Sequence, residues 1–171
     1  MTLVDPGAVG AAEHVLGAAE CAAVAARAAA LVDREALERG GQGTTTMLWR
    51  NGVSEAWLNT WWEQRDSGFH DHDGSSGGVF VLEGTVTSEA LVVAGERRAI
   101  EYHEGDTFSF EGDAIHRVDH LRGAVTLHVY SPPLRSIGHF ELLNGELRRS
   151  PSSPDEVSPA SAELTAALDT R

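Results

Sequence analysis

The sequence predicts an all-β core, a sandwich or barrel of short strands, behind a short helical amino-terminal extension. Three observations predict it. Residues 11 to about 39 are Ala-rich, with Val15, Leu16, Val24, Leu31, Val32 and Leu37 at helical spacings. That segment stops at Gly40-Gly41-Gln42-Gly43. From Thr44 to about Leu143 the texture changes to short runs of β-branched and aromatic residues punctuated by Gly, Asp and Asn.

The expected boundaries are therefore 1–43 for the extension, 44–149 for the β core and 150–171 for a tail. Two short helices are expected in the extension. Cys21, inside it, reads as a small buried hydrophobe because no basic partner lies near it in sequence. The runs Glu55 to Glu63, Gly78 to Glu83, Ala90 to Val93, Thr107 to Phe110 and Ala124 to Tyr130 have the length of strands, and no helix is expected between them. The tail begins SPSSPDEVSP, the composition of a flexible connector, and Pro159 would start a last short helix through Leu168.

Charge narrows the function. The 171 residues include 13 basic and 26 acidic ones, a net charge of -13, and every basic residue is Arg. Without Lys there is no Schiff-base chemistry and no P-loop lysine. An acidic chain with no basic run lacks the cationic footprint that nucleic acid or an anionic membrane requires. A small molecule is the expected partner, and the sequence says nothing of oligomeric state. The single cysteine excludes an intramolecular disulfide, no signal peptide or membrane span is visible, and a cytoplasmic location is expected.

Eight His are the unusual feature. In Gly68-Phe69-His70-Asp71-His72-Asp73-Gly74, residues two apart on an extended strand share a face, so His70 and His72 project together while Asp71 points away. Two imidazoles on one face are half of a metal site, although hydrogen-bonded or surface roles also fit a lone pair. His116 follows Gly105-Asp106 and Glu111-Gly112-Asp113, turn residues that lead into a further strand.

These residues resemble the cupin superfamily. Its first motif, G-(x)5-H-x-H-(x)3-4-E-(x)6-G, is matched by His70, His72 and Gly84, and its second, G-(x)5-P-x-G-(x)2-H-(x)3-N, by Gly105 and His116. The departures are Gly77 at the glutamate, Gln64 at the opening glycine, Glu111 at the proline, Asp113 at the following glycine and His120 at the asparagine. Loss of the glutamate would leave three neutral imidazoles and a metal with its full charge. Within cupins that set resembles the thiol dioxygenases, typified by cysteine dioxygenase. Ile115-His116-Arg117-Val118 and Thr126-Leu127-His128-Val129-Tyr130-Ser131-Pro132-Pro133 look like the family's third ligand and its relay strand, and the likeness runs from about Leu48 to Leu134.

The resemblance implies a cupin jelly-roll β-barrel in which His70, His72 and His116 bind iron(II). It implies a relay of Thr126, His128 and Tyr130, with Thr126 keeping the hydroxyl of the family's usual serine. Arg50, in Leu48-Trp49-Arg50-Asn51, matches the arginine that grips a substrate carboxylate. Animal members cross-link a cysteine at the Gly77 position to the relay tyrosine, a bond this chain cannot form. The implied reaction oxidises a small thiol, cysteine first, with O2 to its sulfinate. The alternatives are 3-mercaptopropionate, a thioimidazole such as ergothioneine, or a non-catalytic metal-binding cupin that senses or stores a ligand.

Other residues carry weaker signals. His14, His103 and His139 match no motif position and are expected at the surface or in the core. His120 is open between a place behind the metal site and a strand-end role. Trp49, Trp57, Trp61 and Trp62 read as core, with an aromatic wall for a bulky thiol as the sharper alternative.

Overall fold

The computed structural model describes residues 13–91, 97–144 and 146–152. Among its described residues the extension contains one α-helix, α1 (Ala18–Ala29), and a 3-10 turn at Arg34–Ala36. The helix has small residues because it lies flat on a sheet. Ala18, Cys21, Val24, Ala25, Ala28 and Ala29 are its buried positions, and a Cβ at Gly78 of the sheet beneath would stand 2.1 Å from the backbone nitrogen of Ala22. Cys21 is fully buried there, and burial raises its thiol pKa to about 11.

Twelve strands follow among the described residues: β1 (Thr44–Arg50), β2 (Glu55–Trp61), β3 (Arg65–Asp66), β4 (His70–Asp71), β5 (Ser76–Glu83), β6 (Thr85–Leu91), β7 (Arg97–His103), β8 (Thr107–Phe110), β9 (His116–His120), β10 (Ala124–Ser131), β11 (Ile137–Leu143) and β12 (Glu146–Ser152). They form two antiparallel sheets, the jelly-roll arrangement that the sequence implies, as facing sheets rather than a closed barrel. One has the order β1-β2-β10-β5-β8; the other runs β12-β11-β4-β9-β6-β7, with β3 paired to β9. No helix among the described residues is long and apolar enough to cross a membrane.

Strand β10 shows how sequence becomes layers. All eight of its residues are buried, because both of its faces are covered. Val125, Leu127 and Val129 pack with Cys21, Val24 and Ala25 of the helix layer. Ala124 and Tyr130 face the other sheet and pack with Val86, Phe108, Phe110 and Val118. Strand β2 alternates in the same way, with Ala56 and Leu58 toward the helix and Trp57 toward the facing sheet.

The expected tail begins too early. Residues 150–152 belong to β12, which pairs along β11 from Leu143↔Glu146 to Ile137↔Ser152. The short helix expected from Pro159 lies outside the described residues, as do positions 92 and 93 of the expected Ala90 to Val93 run.

Candidate metal centre

Strand pairing brings three distant histidines together. His70 sits in β4 directly opposite His116 of β9, and His72 follows β4 on the same face. Ring centroids are 4.8 Å apart for His70 and His72, 4.8 Å for His70 and His116, and 5.1 Å for His72 and His116. One nitrogen from each lies within 4.8 Å of the others, and all three residues are buried. Asp71 points away, as the alternation predicts. Its carboxylate accepts two hydrogen bonds from Arg149 of β12, Nε at 2.6 Å and Nη2 at 2.7 Å.

The donor set fits a cation. Nδ1 of His70 lies 2.9 Å from the carbonyl oxygen of Gly68, which can only accept, so Nδ1 carries the proton and Nε2 keeps its lone pair. Nδ1 of His72 and Nε2 of His116 are buried without a hydrogen-bond partner. Leaving such atoms unsatisfied costs about 1–3 kcal/mol each, a cost that coordination to a metal ion would offset. Burial lowers the pKa of His70 to about 4 and pushes those of His72 and His116 well below the usual range, so the rings are neutral at pH 7.

Position 77 explains why no carboxylate joins them. Gly77 lies opposite Tyr130 in the sheet, and a Cβ there would come within 2.1 Å of Cζ of Phe110. The Phe110 ring fills that space. It stacks on His72 at 4.5 Å and packs against His116 at 4.3 Å. An aromatic wall therefore stands where most cupins carry an acidic ligand.

The second group lies along β10. Thr126, His128 and Tyr130 share the inner face, with His128 Nε2 2.9 Å from the Thr126 hydroxyl and Nδ1 3.1 Å from the Tyr130 hydroxyl. The tyrosine ring centroid is 5.1 Å from that of His72. Trp61 Nε1–H donates to the Thr126 oxygen at 3.4 Å, and the same oxygen keeps a proton and a second lone pair for His128 Nε2. Burial lowers the His128 pKa to about 3, so the ring is neutral and bridges the two hydroxyls with one N–H and one lone pair. Burial, reinforced by the charge of Glu55, raises the tyrosine pKa and keeps the phenol protonated.

A cavity open to solvent runs from His70 and His116 along these strands. Trp57 and Trp61 line it, while Trp49 and Trp62 pack on the helix layer. The tryptophans thus divide between the two readings of the sequence. His120 and His139 also line the cavity, and His139 is half-buried with its ring 6.3 Å from that of His70. His14 and His103 are exposed.

Arg50 lies outside the residues that line the cavity. Its Nη2 donates to the Leu134 carbonyl at 2.8 Å, and its Nε is 3.2 Å from Oε2 of fully buried Glu55. That charge contact lacks hydrogen-bond geometry, since Oε2 has no hydrogen-bond partner. Glu55 in turn accepts from Trp57 Nε1 at 2.9 Å. The arginine that does line the cavity is Arg65.

Sequence reasoning missed Glu55, Asn59, Arg65 and Phe110. For Glu55 and Asn59 a signal existed, because they alternate with Trp57 and Trp61 on one face of β2. Arg65 reaches the cavity by pairing with His120, and Phe110 by its place opposite Gly77; no local pattern announces either.

The family described as cysteine dioxygenase type I matches residues 36–142, more than half of the chain. The chain belongs to the cysteine dioxygenase type I family. All seven residues expected to form the site lie inside the matched region. A solved structure from Bacillus halodurans is similar at 14% identity and a TM-score of 0.50, covering 74% of this chain and 85% of that one. A cupin superfamily protein from Desulfitobacterium hafniense has 14% identity and a TM-score of 0.46, covering 60% and 84%. A double-stranded β-helix protein from Klebsiella pneumoniae has 11% identity and a TM-score of 0.48, covering 68% and 91%. At these identities the likeness concerns the fold alone.

Proposed function

We propose that this member of the cysteine dioxygenase type I family is a mononuclear iron(II) thiol dioxygenase. It would convert a small thiol, cysteine first among the candidates, to its sulfinate: RS⁻ + O2 → RSO2⁻, balanced without an external reductant. One observation carries the reading. Three buried neutral imidazoles, with no carboxylate among them, lie beside the hydrogen-bonded face of Thr126, His128 and Tyr130, and His70, His116, His128 and Tyr130 line one cavity.

Iron held by His70, His72 and His116 would supply the redox chemistry that joins oxygen to sulfur. The protein sets the conditions. Neutral ligands leave the full charge of a divalent ion to attract a thiolate. Phe110 closes the side of the site where a fourth protein ligand would enter. With Thr126 donating to Nε2, His128 would hold the Tyr130 oxygen through Nδ1–H and leave the phenol proton free to point into the cavity. A proton held there would stabilise negative charge that develops as O2 is consumed. A binding module has no evident use for such a relay.

The substrate within the thiol class is open to test. Trp57 and Trp61 in the cavity wall favour a thiol bulkier than cysteine, such as a thioimidazole, as the second reading. The deciding experiment loads the protein with iron under argon and then supplies O2 with cysteine, 3-mercaptopropionate, ergothioneine and cysteamine in turn. Oxygen uptake matched by sulfinate in the mass spectrum supports the reading, and failure with every thiol overturns it. His70→Ala, His72→Ala and His116→Ala should each lose most of the bound iron. Stoichiometric iron in all three variants would remove the ligand assignment.

A further inference from the structure

The histidine end leaves the other half of the cavity without a task. From His116 to His120 the strand advances four residues, about 13 Å, so the cavity continues well past the reach of a three-carbon thiol whose sulfur sits at the histidines. At that far end the Trp61 ring stacks on His120 at 4.1 Å, and the Arg65 guanidinium carbon lies 5.9 Å from the Trp61 ring centroid.

Two buried acceptors there lack partners, and one arginine lacks a carboxylate. Asn59 Oδ1 and His120 Nε2 are buried with no hydrogen bond, in residues only 9% and 3% exposed. The Arg65 carbonyl oxygen, 3.3 Å from His120, takes the Nδ1 proton. The neutral ring therefore has only a lone pair at Nε2. Both orphaned atoms are acceptors in need of a donor. Arg65 is the converse case. Arg34, Arg39, Arg50, Arg117 and Arg149 each contact a carboxylate, whereas Arg65 has none among the described residues. Its charge faces a mostly apolar cavity, where an anion would be most strongly held.

We infer that the far end of the cavity is a recognition subsite for the remote end of the substrate, with Arg65 taking a carboxylate and Asn59 and His120 taking N–H donors. The substrate is accordingly an elongated, N–H-bearing thiol or thione acid whose planar middle lies along Trp57 and Trp61, and whose carboxylate stands more than three bonds from sulfur. This rests on the reading of the histidine end as the place where sulfur is oxidised.

A sulfur-free probe separates the two ideas. Indole-3-propionate has the plane, the N–H and the carboxylate; indole-3-propanol lacks only the charge. On iron-loaded protein under argon, calorimetry should give at least tenfold tighter binding of the acid than of the alcohol. Arg65→Gln should abolish that difference, Asn59→Leu should weaken both ligands alike, and exposed Arg122→Gln should change neither. Equal affinities in the parent, or an unchanged affinity for the acid in Arg65→Gln, overturns the anion half; unchanged affinities in Asn59→Leu overturn the N–H half. Because no oxidation is read, these results stand apart from the thiol assay. Sulfinate formation without Arg65-dependent binding would sink the subsite alone, and Arg65-dependent binding without sulfinate from any thiol would sink the dioxygenase reading alone.

Discussion

The two ends of the cavity are built by different rules. At the histidine end, short-range spacing places His70 and His72 on one face and a single register contact adds His116. At the far end, Asn59, Arg65 and His120 come from three strands with no motif among them. The chemistry differs accordingly. One end offers lone pairs to a cation, and the other offers a cation and acceptors to an organic ligand. A metal site tolerates little variation in donor type or distance, so it leaves a mark in sequence. A substrate pocket can be assembled from almost any strand that faces inward.

The largest effect that would sharpen this contrast lies at Tyr130. Tyr130→Phe removes a hydroxyl that is hydrogen-bonded to His128 and that, in the proposed reaction, would supply the proton near the reacting atoms. Turnover should fall by about a hundredfold, with iron content and indole-3-propionate affinity unchanged. A loss of iron in this variant would mean that the relay is part of the metal site's framework, and the two ends would not be separable in the way described.

Arg50 tests the contrast from outside both ends. Its guanidinium is half-exposed and sits against fully buried Glu55, so Arg50→Ala leaves a buried carboxylate without its cation, at a cost of about 1–3 kcal/mol. The melting temperature should drop while the KM for the thiol that is turned over moves less than threefold. If instead KM rises tenfold or more at unchanged stability, Arg50 turns into the cavity to grip the substrate, as the family resemblance implies, and the far subsite would lose its reason.

How legible all this was depends on the kind of constraint. The three histidines, Gly77 and the alternation of Thr126, His128 and Tyr130 stand in the sequence because strand period and ligand spacing are local properties. The two-sheet core followed from the same periodicity. Strand β12 did not, because Ser150, Pro151 and Ser152 have the composition of a linker and become a strand only through seven register pairs with β11. Phe110 was equally hidden: that an aromatic ring fills the empty place beside Gly77 is a fact of pairing between β5 and β8. Arg65 and Arg50 look alike in sequence, and only their neighbours distinguish them.

Gly77 gives the next effect in size. Gly77→Cys restores the residue that animal members cross-link, but its side chain must enter space that Phe110 holds. Overpacking of this kind costs about 1–3 kcal/mol, which should appear as a lowered melting temperature. Phe110→Ala in the same chain should recover part of the loss. A Gly77→Cys protein as stable as the parent would show that the ring moves aside freely and does not wall the metal end.

The smallest expected effect comes from Arg149, which touches the metal end only from behind. Asp71 stands between His70 and His72 with its side chain turned out, and Arg149 holds it through two parallel hydrogen bonds. These bonds depress the Asp71 pKa against the opposing effect of burial, so the pair is ionised at neutral pH. The arginine is one-third exposed, and solvent screening limits the pair to about 1 kcal/mol. Arg149→Gln keeps length and polarity but loses the charge, so it should lower the melting temperature by a few degrees at low salt. The gap should narrow in 1 M salt, where the parent's own attraction is screened. Because β12 would still pair with β11, ligand binding at the far end should be untouched while iron affinity falls a few-fold through a looser His70-Asp71-His72 segment. Equal iron affinity in Arg149→Gln and the parent would confine the clamp to holding β12 in place, and the metal end would then owe its geometry to the pairing of β4 with β9 and β11 alone.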